Sequence, residues 1–111
     1  MYKKWDSENP FDVGEGWGME PWSQVEMKLD DELVKKIAAT SKTAIVIIGR
    51  TAGEEQDNHL GEGSYLLTAD EKEMLDKVRS SFDKVIVLLN VGNIIDMSYF
   101  DECKPDAILY V

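Results

Sequence analysis

The sequence is poor in the residues that build metal centres and cross-links. Its 111 residues include one cysteine, Cys103, and one histidine, His59, which excludes an internal disulfide, a cysteine-rich zinc site and a multi-histidine metal centre. Basic residues are also few, since 12 lysines and arginines stand against 22 acidic residues and give a net charge of −10. Because nucleic-acid binding needs clustered basic side chains, this balance argues against a nucleic-acid partner.

Long apolar runs are missing as well. No stretch approaches the roughly 20 residues of a membrane span, and the first residues lack the apolar stretch of a signal peptide. We therefore expect no membrane partner, and the sequence predicts a cytoplasmic location. Apolar residues nonetheless make up 43% of the chain, which is enough to bury the core of one domain or part of one.

Residues 1–29 differ in character from the rest. They contain all three tryptophans, and their apolar residues follow neither a 2-residue nor a 3.6-residue period. Because tryptophan is costly to leave in water, we interpret them as an extended interdomain or N-terminal segment that Trp5, Trp17 and Trp22 pin to an apolar surface. The alternative is a flexible linker. Residues 30–111 are predicted to form an incomplete α/β sandwich domain.

Three nearly unbroken apolar runs predict the strands of that domain. They are residues 43–49, 85–91 and 107–111. Runs without polar alternation are typical of parallel strands that helices cover on both faces of the sheet.

Helices are predicted before and between these runs. Residues 30–40 begin with acidic residues that can cap a helix, and residues 69–82 follow the T-x-x-E spacing of a capping box at Thr68 and Glu71. Residues 96–102 predict a short helical turn. Apolar residues at helical spacing form the predicted buried stripe of the second helix, namely Leu75, Val78 and Phe82.

The alternation of strands and helices predicts the α/β class. We expect a partial doubly wound three-layer sandwich of the flavodoxin-like type, with about three mostly parallel strands and flanking helices. The last run leaves a sheet edge uncovered, so we expect a piece of a larger protein rather than a very small domain. Such a piece should expose apolar surface and is predicted to associate as a homo-oligomer.

The loop after the first predicted strand, residues 50–67, is the candidate site. Ligands of open α/β sheets bind beyond the carboxyl ends of the strands, and loops of this length are usually functional or disordered. Glu54 lies beside Glu55 and Asp57, whose like charges raise a carboxyl pKa toward the range of a general acid/base, while Arg50 opposes that shift.

Other interpretations of this loop stay open. A divalent-cation site would draw on Glu54, Glu55, Asp57 and Glu62, but their spacing is not that of a calcium loop. A nucleotide site would suit the fold, but the loop has neither a G-x-G-x-x-G motif nor a P-loop lysine. A solvated acidic loop without chemistry is the remaining alternative. We therefore assign no metal and no cofactor.

The sequence around this loop resembles a known family. Residues 43–58, T-A-I-V-I-I-G-R-T-A-G-E-E-Q-D-N, resemble the second domain of family 3 glycoside hydrolases, the β-glucosidase family. Residues 63–68, G-S-Y-L-L-T, and 85–96, V-I-V-L-L-N-V-G-N-I-I-D, continue the resemblance. Residues 9–12 and 20–26 resemble the segment that precedes that domain, so nearly the whole chain is covered.

The resemblance implies a retaining mechanism with two carboxyl groups. The family's nucleophile is an aspartate in a barrel domain, no part of which appears in this sequence. The family's acid/base is commonly a glutamate in the loop after the first strand of the second domain. The position that matches the family's G-E-x-x-D pattern is Glu54, with Glu55 as its competitor. The resemblance assigns Arg50 and Asp57 to substrate binding, and Arg50 either shapes the sugar pocket or orients the loop.

The resemblance therefore predicts a fragment of a β-glucosidase-like enzyme that hydrolyses terminal β-D-glucosyl residues. The fragment contributes the acid/base loop, its substrate is a β-glucoside or oligosaccharide, and the missing barrel domain is its partner. Because each domain supplies one of the two carboxyl groups, the isolated chain is expected to be inactive. The alternative is a stand-alone flavodoxin-like module that binds a small ligand without catalysis.

Overall fold

Three parallel strands form the centre of the structure, a computed structural model that describes residues 2–51 and 57–111. The strands are β1 (Thr43–Gly49), β2 (Lys84–Asn90) and β3 (Ala107–Tyr110), and they lie in the order β1-β2-β3. Both neighbouring pairs are parallel. The predicted strands and their parallel arrangement are therefore confirmed, with ends that differ by one residue at most.

The described residues form four helices. They are α1 (Tyr2–Glu8), α2 (Asp31–Ala38), α3 (Ala69–Ser81) and α4 (Ser98–Cys103). The last three confirm the predicted helices, and the Asp30 carboxylate caps α2 by accepting from the Glu32 N–H. No described helix has the length and apolar character that crossing a membrane requires.

Residues 1–29 depart from the expectation in two ways. The segment α1 is helical although the sequence pattern predicts no helix there. None of its residues is buried, so it lacks the apolar stripe from which a helix is predicted. Trp17 is 82% exposed, so it does not dock on the described residues of this chain, whereas Trp5 and Trp22 are partly buried. Trp17 lies in a tight turn in which the Met19 N–H donates to the Gly16 carbonyl. The domain division at residue 29 stays a prediction.

The core lies on one face of the sheet. The predicted stripe of α3 is buried there, and α2 and α4 both contact α3, so the helices form a single layer. The strand side chains that complete this core are Val46, Ile48, Val85, Val87 and Leu89. This layer fixes the ends of β1 and β2 relative to α3, which is the framework of the candidate site.

The opposite face of the sheet is uncovered by the described residues. Ile45 and Ile47 of β1 are 61% and 59% exposed, and Leu109, in register with Ile47 through β2, is 46% exposed. The expectation that both faces are buried is therefore wrong for this chain, because the layer of α2, α3 and α4 covers one side only. Burying an isoleucine stabilises a fold by roughly 1.5–3 kcal/mol, so this face favours a covering partner.

Candidate functional site

The candidate site lies at the carboxyl ends of β1 and β2. The loop after β1 begins with Arg50 and Thr51 and is described again from Asp57 onward. Glu54 and Glu55, the predicted acid/base and its competitor, lie outside the described residues, so their roles stay predictions. The described part shows how the two ends of the loop are held.

Arg50 holds the two ends of the loop together. Its side chain is 3% exposed, and each of its five N–H groups has an acceptor. Nε donates to the Ser64 carbonyl at 3.0 Å, and the two terminal nitrogens donate to the carbonyls of Gly49 at 2.8 Å and Leu66 at 3.3 Å. The remaining two N–H groups donate to the Glu71 carboxylate, at 2.5 Å from Nη1 to Oε1 and 2.8 Å from Nη2 to Oε2.

The Glu71 carboxylate accepts hydrogen bonds both from Arg50 and from the capping box of α3. It is 1% exposed, and its Oε2 also accepts from the Thr68 N–H at 2.8 Å, while the Thr68 hydroxyl accepts from the Glu71 N–H at 3.1 Å. The predicted capping box is therefore confirmed. The sequence does not reveal the partnership with Arg50, because the capping box alone accounts for a glutamate at this position.

The environment of Arg50 bears on its predicted role. All five donors are used inside the protein, so none is left for a sugar hydroxyl in this arrangement. Of the two alternatives that the resemblance offers, this geometry favours orientation of the loop over direct contact with substrate. The assignment of Arg50 to substrate binding stays a prediction.

A second set of hydrogen bonds holds the far side of the loop. Ser64 is 1% exposed, its hydroxyl donates to the Asn58 Oδ1 at 2.5 Å, and the same hydroxyl accepts from the His59 N–H at 3.2 Å. Asn58 Nδ2 donates to the Ile94 carbonyl at 2.8 Å, in the loop after β2. The two loops at this end of the sheet are thus joined. Asp57, which directly precedes this network, is exposed.

The described residues contain no group of three histidine, cysteine, aspartate or glutamate side chains that could hold a metal ion. Two members of the alternative cation site, Glu54 and Glu55, lie outside the described residues, and Glu62 is exposed.

The segment before α2 forms the other wall of the site. Thr51 donates its N–H to the Trp22 carbonyl and its hydroxyl to the Pro21 carbonyl, both at 2.8 Å. A cleft of about 210 Å³ lies between this segment and the strand ends, and its lining includes Trp22, Glu26, Arg50 and Asn90. Sequence reasoning missed this contact, since 30 residues separate Pro21 from Thr51 and no local pattern links them.

Glu26 is the titratable residue of this wall whose pKa is shifted by its environment. Burial raises the pKa of its carboxyl above the ordinary value of 4.5, and the negative charges of Glu71 and Asp70 add to that rise, while the Arg50 guanidinium opposes it. The folded protein therefore favours the protonated form of Glu26 more than the unfolded chain does. The resulting stabilisation is fully present below the unfolded pKa and is lost as the pH rises through the folded pKa.

Glu26→Gln should consequently change how the stability of the chain depends on pH. We expect the free energy of unfolding of the variant, relative to that of the parent chain, to rise as the pH is raised from about 4 to about 7. Urea unfolding at a series of pH values measures this difference. Glu15→Gln, at an exposed glutamate of the same segment, is the matched control. A difference that stays constant with pH would contradict the raised pKa.

Comparison with known proteins gives concordant matches. The family model described as "Glycosyl hydrolase family 3 C-terminal domain" matches residues 8–111. A "Beta-glucosidase" of Ruminococcus albus is 64% identical over 110 residues, which are 99% of this chain and 12% of that protein. The solved structure of a β-glucosidase from Paenibacillus barengoltzii matches with a TM-score of 0.90 and 49% identity, over 98% of this chain and 12% of that one.

A more distant structure supports the fold alone. β-Glucosidase 3B from Thermotoga neapolitana, solved in complex with glucose, matches with a TM-score of 0.75 and 24% identity, over 96% of this chain and 15% of that chain. The chain therefore spans only 12% to 15% of the length of these proteins.

Proposed function

The chain belongs to glycoside hydrolase family 3, and we propose on this basis that it is a fragment of a retaining β-glucosidase-like enzyme that contributes the acid/base loop. The observation that carries the proposal is the loop after β1. It lies at the ligand-binding end of a parallel sheet, and both of its ends are held by buried hydrogen bonds. The chain around it is 64% identical to a β-glucosidase.

The proposed mechanism divides the chemistry between this chain and absent polypeptide. Retaining glycosidases hold two carboxyl groups about 5–5.5 Å apart. Glu54, with Glu55 as the competitor, would protonate the leaving oxygen of a β-glucoside while an aspartate of the missing barrel domain attacks the sugar carbon. The resulting carboxylate of Glu54 would then take a proton from the water that releases glucose. Asp57 stays a proposed substrate-binding residue. For Arg50, which the resemblance assigns either to the sugar pocket or to orientation of the loop, we propose orientation of the loop, because all five of its N–H groups are used inside the protein.

The uncovered sheet face separates this proposal from the stand-alone binding module. Ile45, Ile47 and Leu109 are exposed on one side of the described sheet, whereas a complete doubly wound module covers both sides. This supports the fragment and the need for further polypeptide. We also expect the isolated chain to self-associate through this face, as sedimentation would show. The cytoplasmic location stays a prediction.

A segment exchange tests the proposal. In a chimera, the 111-residue chain replaces the matching segment of the Ruminococcus albus β-glucosidase. We expect the chimera to hydrolyse an aryl β-glucoside and the isolated chain to show no turnover, because the chain lacks the nucleophile. A folded chimera without activity would contradict the proposal. So would activity of the purified isolated chain that Glu54→Gln abolishes.

A further inference from the structure

We propose that Arg50 and Glu71 are positioning residues, which set the position of the acid/base loop through a buried ion pair. The inference rests on the proposed function and adds a role for Glu71, a residue of α3 outside the loop. Neither residue is taken to touch substrate. Their effect passes through the backbone at the two ends of the loop.

The first end of the loop is fixed to the sheet and to the segment before α2. The Arg50 N–H donates to the Asn90 carbonyl at 3.1 Å, which continues the ladder between β1 and β2, and the Thr51 N–H donates to the Trp22 carbonyl. These bonds fix the backbone where the loop leaves the sheet. They do not by themselves determine where the loop returns.

The second end of the loop is fixed by the Arg50 side chain. Its guanidinium holds the carbonyls of Ser64 and Leu66, and the Leu66 carbonyl also accepts from the Gly63 N–H at 2.9 Å. Gly63 has a φ of +78°, a conformation that glycine adopts without strain, so the turn keeps these carbonyls close to Arg50. The Arg50 side chain thus links the two ends of the loop directly, while the Asn58–Ser64 network joins its far side to the loop after β2.

Glu71 fixes the guanidinium in turn. Its two oxygens face the two terminal nitrogens in a bidentate arrangement, which sets the plane of the planar guanidinium group as well as its position. The capping box at the beginning of α3 also holds Glu71. The position of this helix therefore determines the orientation of the Arg50 guanidinium. Lysine in place of Arg50, or glutamine in place of Glu71, would keep part of the attraction and lose this geometry.

The expected consequence is specific to proton transfer. A displacement of about 1 Å at a reacting group can cost about 100-fold in rate. A displaced acid slows substrates with poor leaving groups, which need protonation, more than activated aryl glucosides. We therefore expect Glu71→Gln and Arg50→Lys to lower kcat for an alkyl β-glucoside by about 10- to 100-fold, with a smaller loss for a nitrophenyl β-glucoside and little change in KM.

The experiment uses the chimera and both substrates. Glu73→Gln is the matched control, because Glu73 lies on the same helix in a half-exposed ion pair with Lys77. Its ratio of the two kcat values should equal that of the parent chimera. If the Glu71→Gln and Arg50→Lys variants fail to fold, the double variant Arg50→Met/Glu71→Leu removes both charges together and should show the same selective loss.

The outcomes separate the inference from the function on which it rests. Equal losses for both substrates, or unchanged rates in folded variants, would overturn the positioning role. If neither Glu54→Gln nor Glu55→Gln slows the alkyl substrate selectively, the proposed function itself fails. A selective loss in one of those variants, without one in Glu71→Gln, overturns the positioning role alone.

Discussion

Glu54→Gln in the chimera is expected to lower kcat for an alkyl β-glucoside by about 10²–10⁴-fold, the usual contribution of a general acid. The amide cannot donate a proton to the leaving oxygen, so the loss is largest where the leaving group is a poor one. A nitrophenyl leaving group departs with little protonation, and the first step should be slowed least for such a substrate. Steady-state kinetics with a series of leaving groups measures the effect.

Two neighbouring substitutions serve as controls for this assignment. Glu55→Gln tests the competitor, and Asp57→Asn tests a carboxylate that the structure places in an exposed position next to the Asn58–Ser64 network. Neither should produce a loss that depends on the leaving group. If Glu55→Gln shows that dependence and Glu54→Gln does not, the acid/base is Glu55. Equal slowing of all substrates by Glu54→Gln would remove it from the acid role.

Local patterns predicted most of the sheet and of α3. The apolar runs gave the three strands, and Thr68 and Glu71 gave the beginning of α3, because each of these signals is contained in a few neighbouring residues. The exposed face of β1 could not be predicted in the same way. An apolar run shows that a strand suits burial on both faces, but not whether the polypeptide that covers the second face belongs to this chain.

The candidate site was predictable in place and incompletely predictable in structure. The resemblance located the loop, yet Arg50 and Glu71 are 21 residues apart and meet only because β1 and α3 pack together. Each residue also has a sufficient local explanation. Arg50 lies at the end of a strand, and Glu71 belongs to a capping box. The contact of Thr51 with Trp22 is equally non-local. Such contacts arise from packing, which short-range periodicity does not encode.

The buried ion pair predicts the largest effect on stability. Arg50→Met alone leaves the Glu71 carboxylate buried without its partner, and such losses typically cost about 3–5 kcal/mol. The double variant Arg50→Met/Glu71→Leu removes both charges and should recover part of that loss, because apolar pairs often replace buried ion pairs at little cost. It should not recover all of it, since the Thr68 N–H loses its side-chain acceptor and the carbonyls of Gly49 and Ser64 lose the Arg50 donors, each bond contributing about 1 kcal/mol. Urea unfolding of the chain at low protein concentration measures Arg50→Met, Glu71→Leu and the double variant in a double-mutant cycle.

Lys28→Met provides the comparison, because Lys28 forms an ion pair with Asp70 in the first turn of α3 and both side chains are exposed. An exposed pair contributes about 0–1 kcal/mol, so this variant should lie close to the parent chain. If Arg50→Met destabilises no more than Lys28→Met does, Arg50 and Glu71 are hydrated in solution. The two ends of the loop would then be held by the backbone bonds and by the side chains of Thr51, Asn58 and Ser64, and the position of the acid/base could not depend on the charge of Glu71.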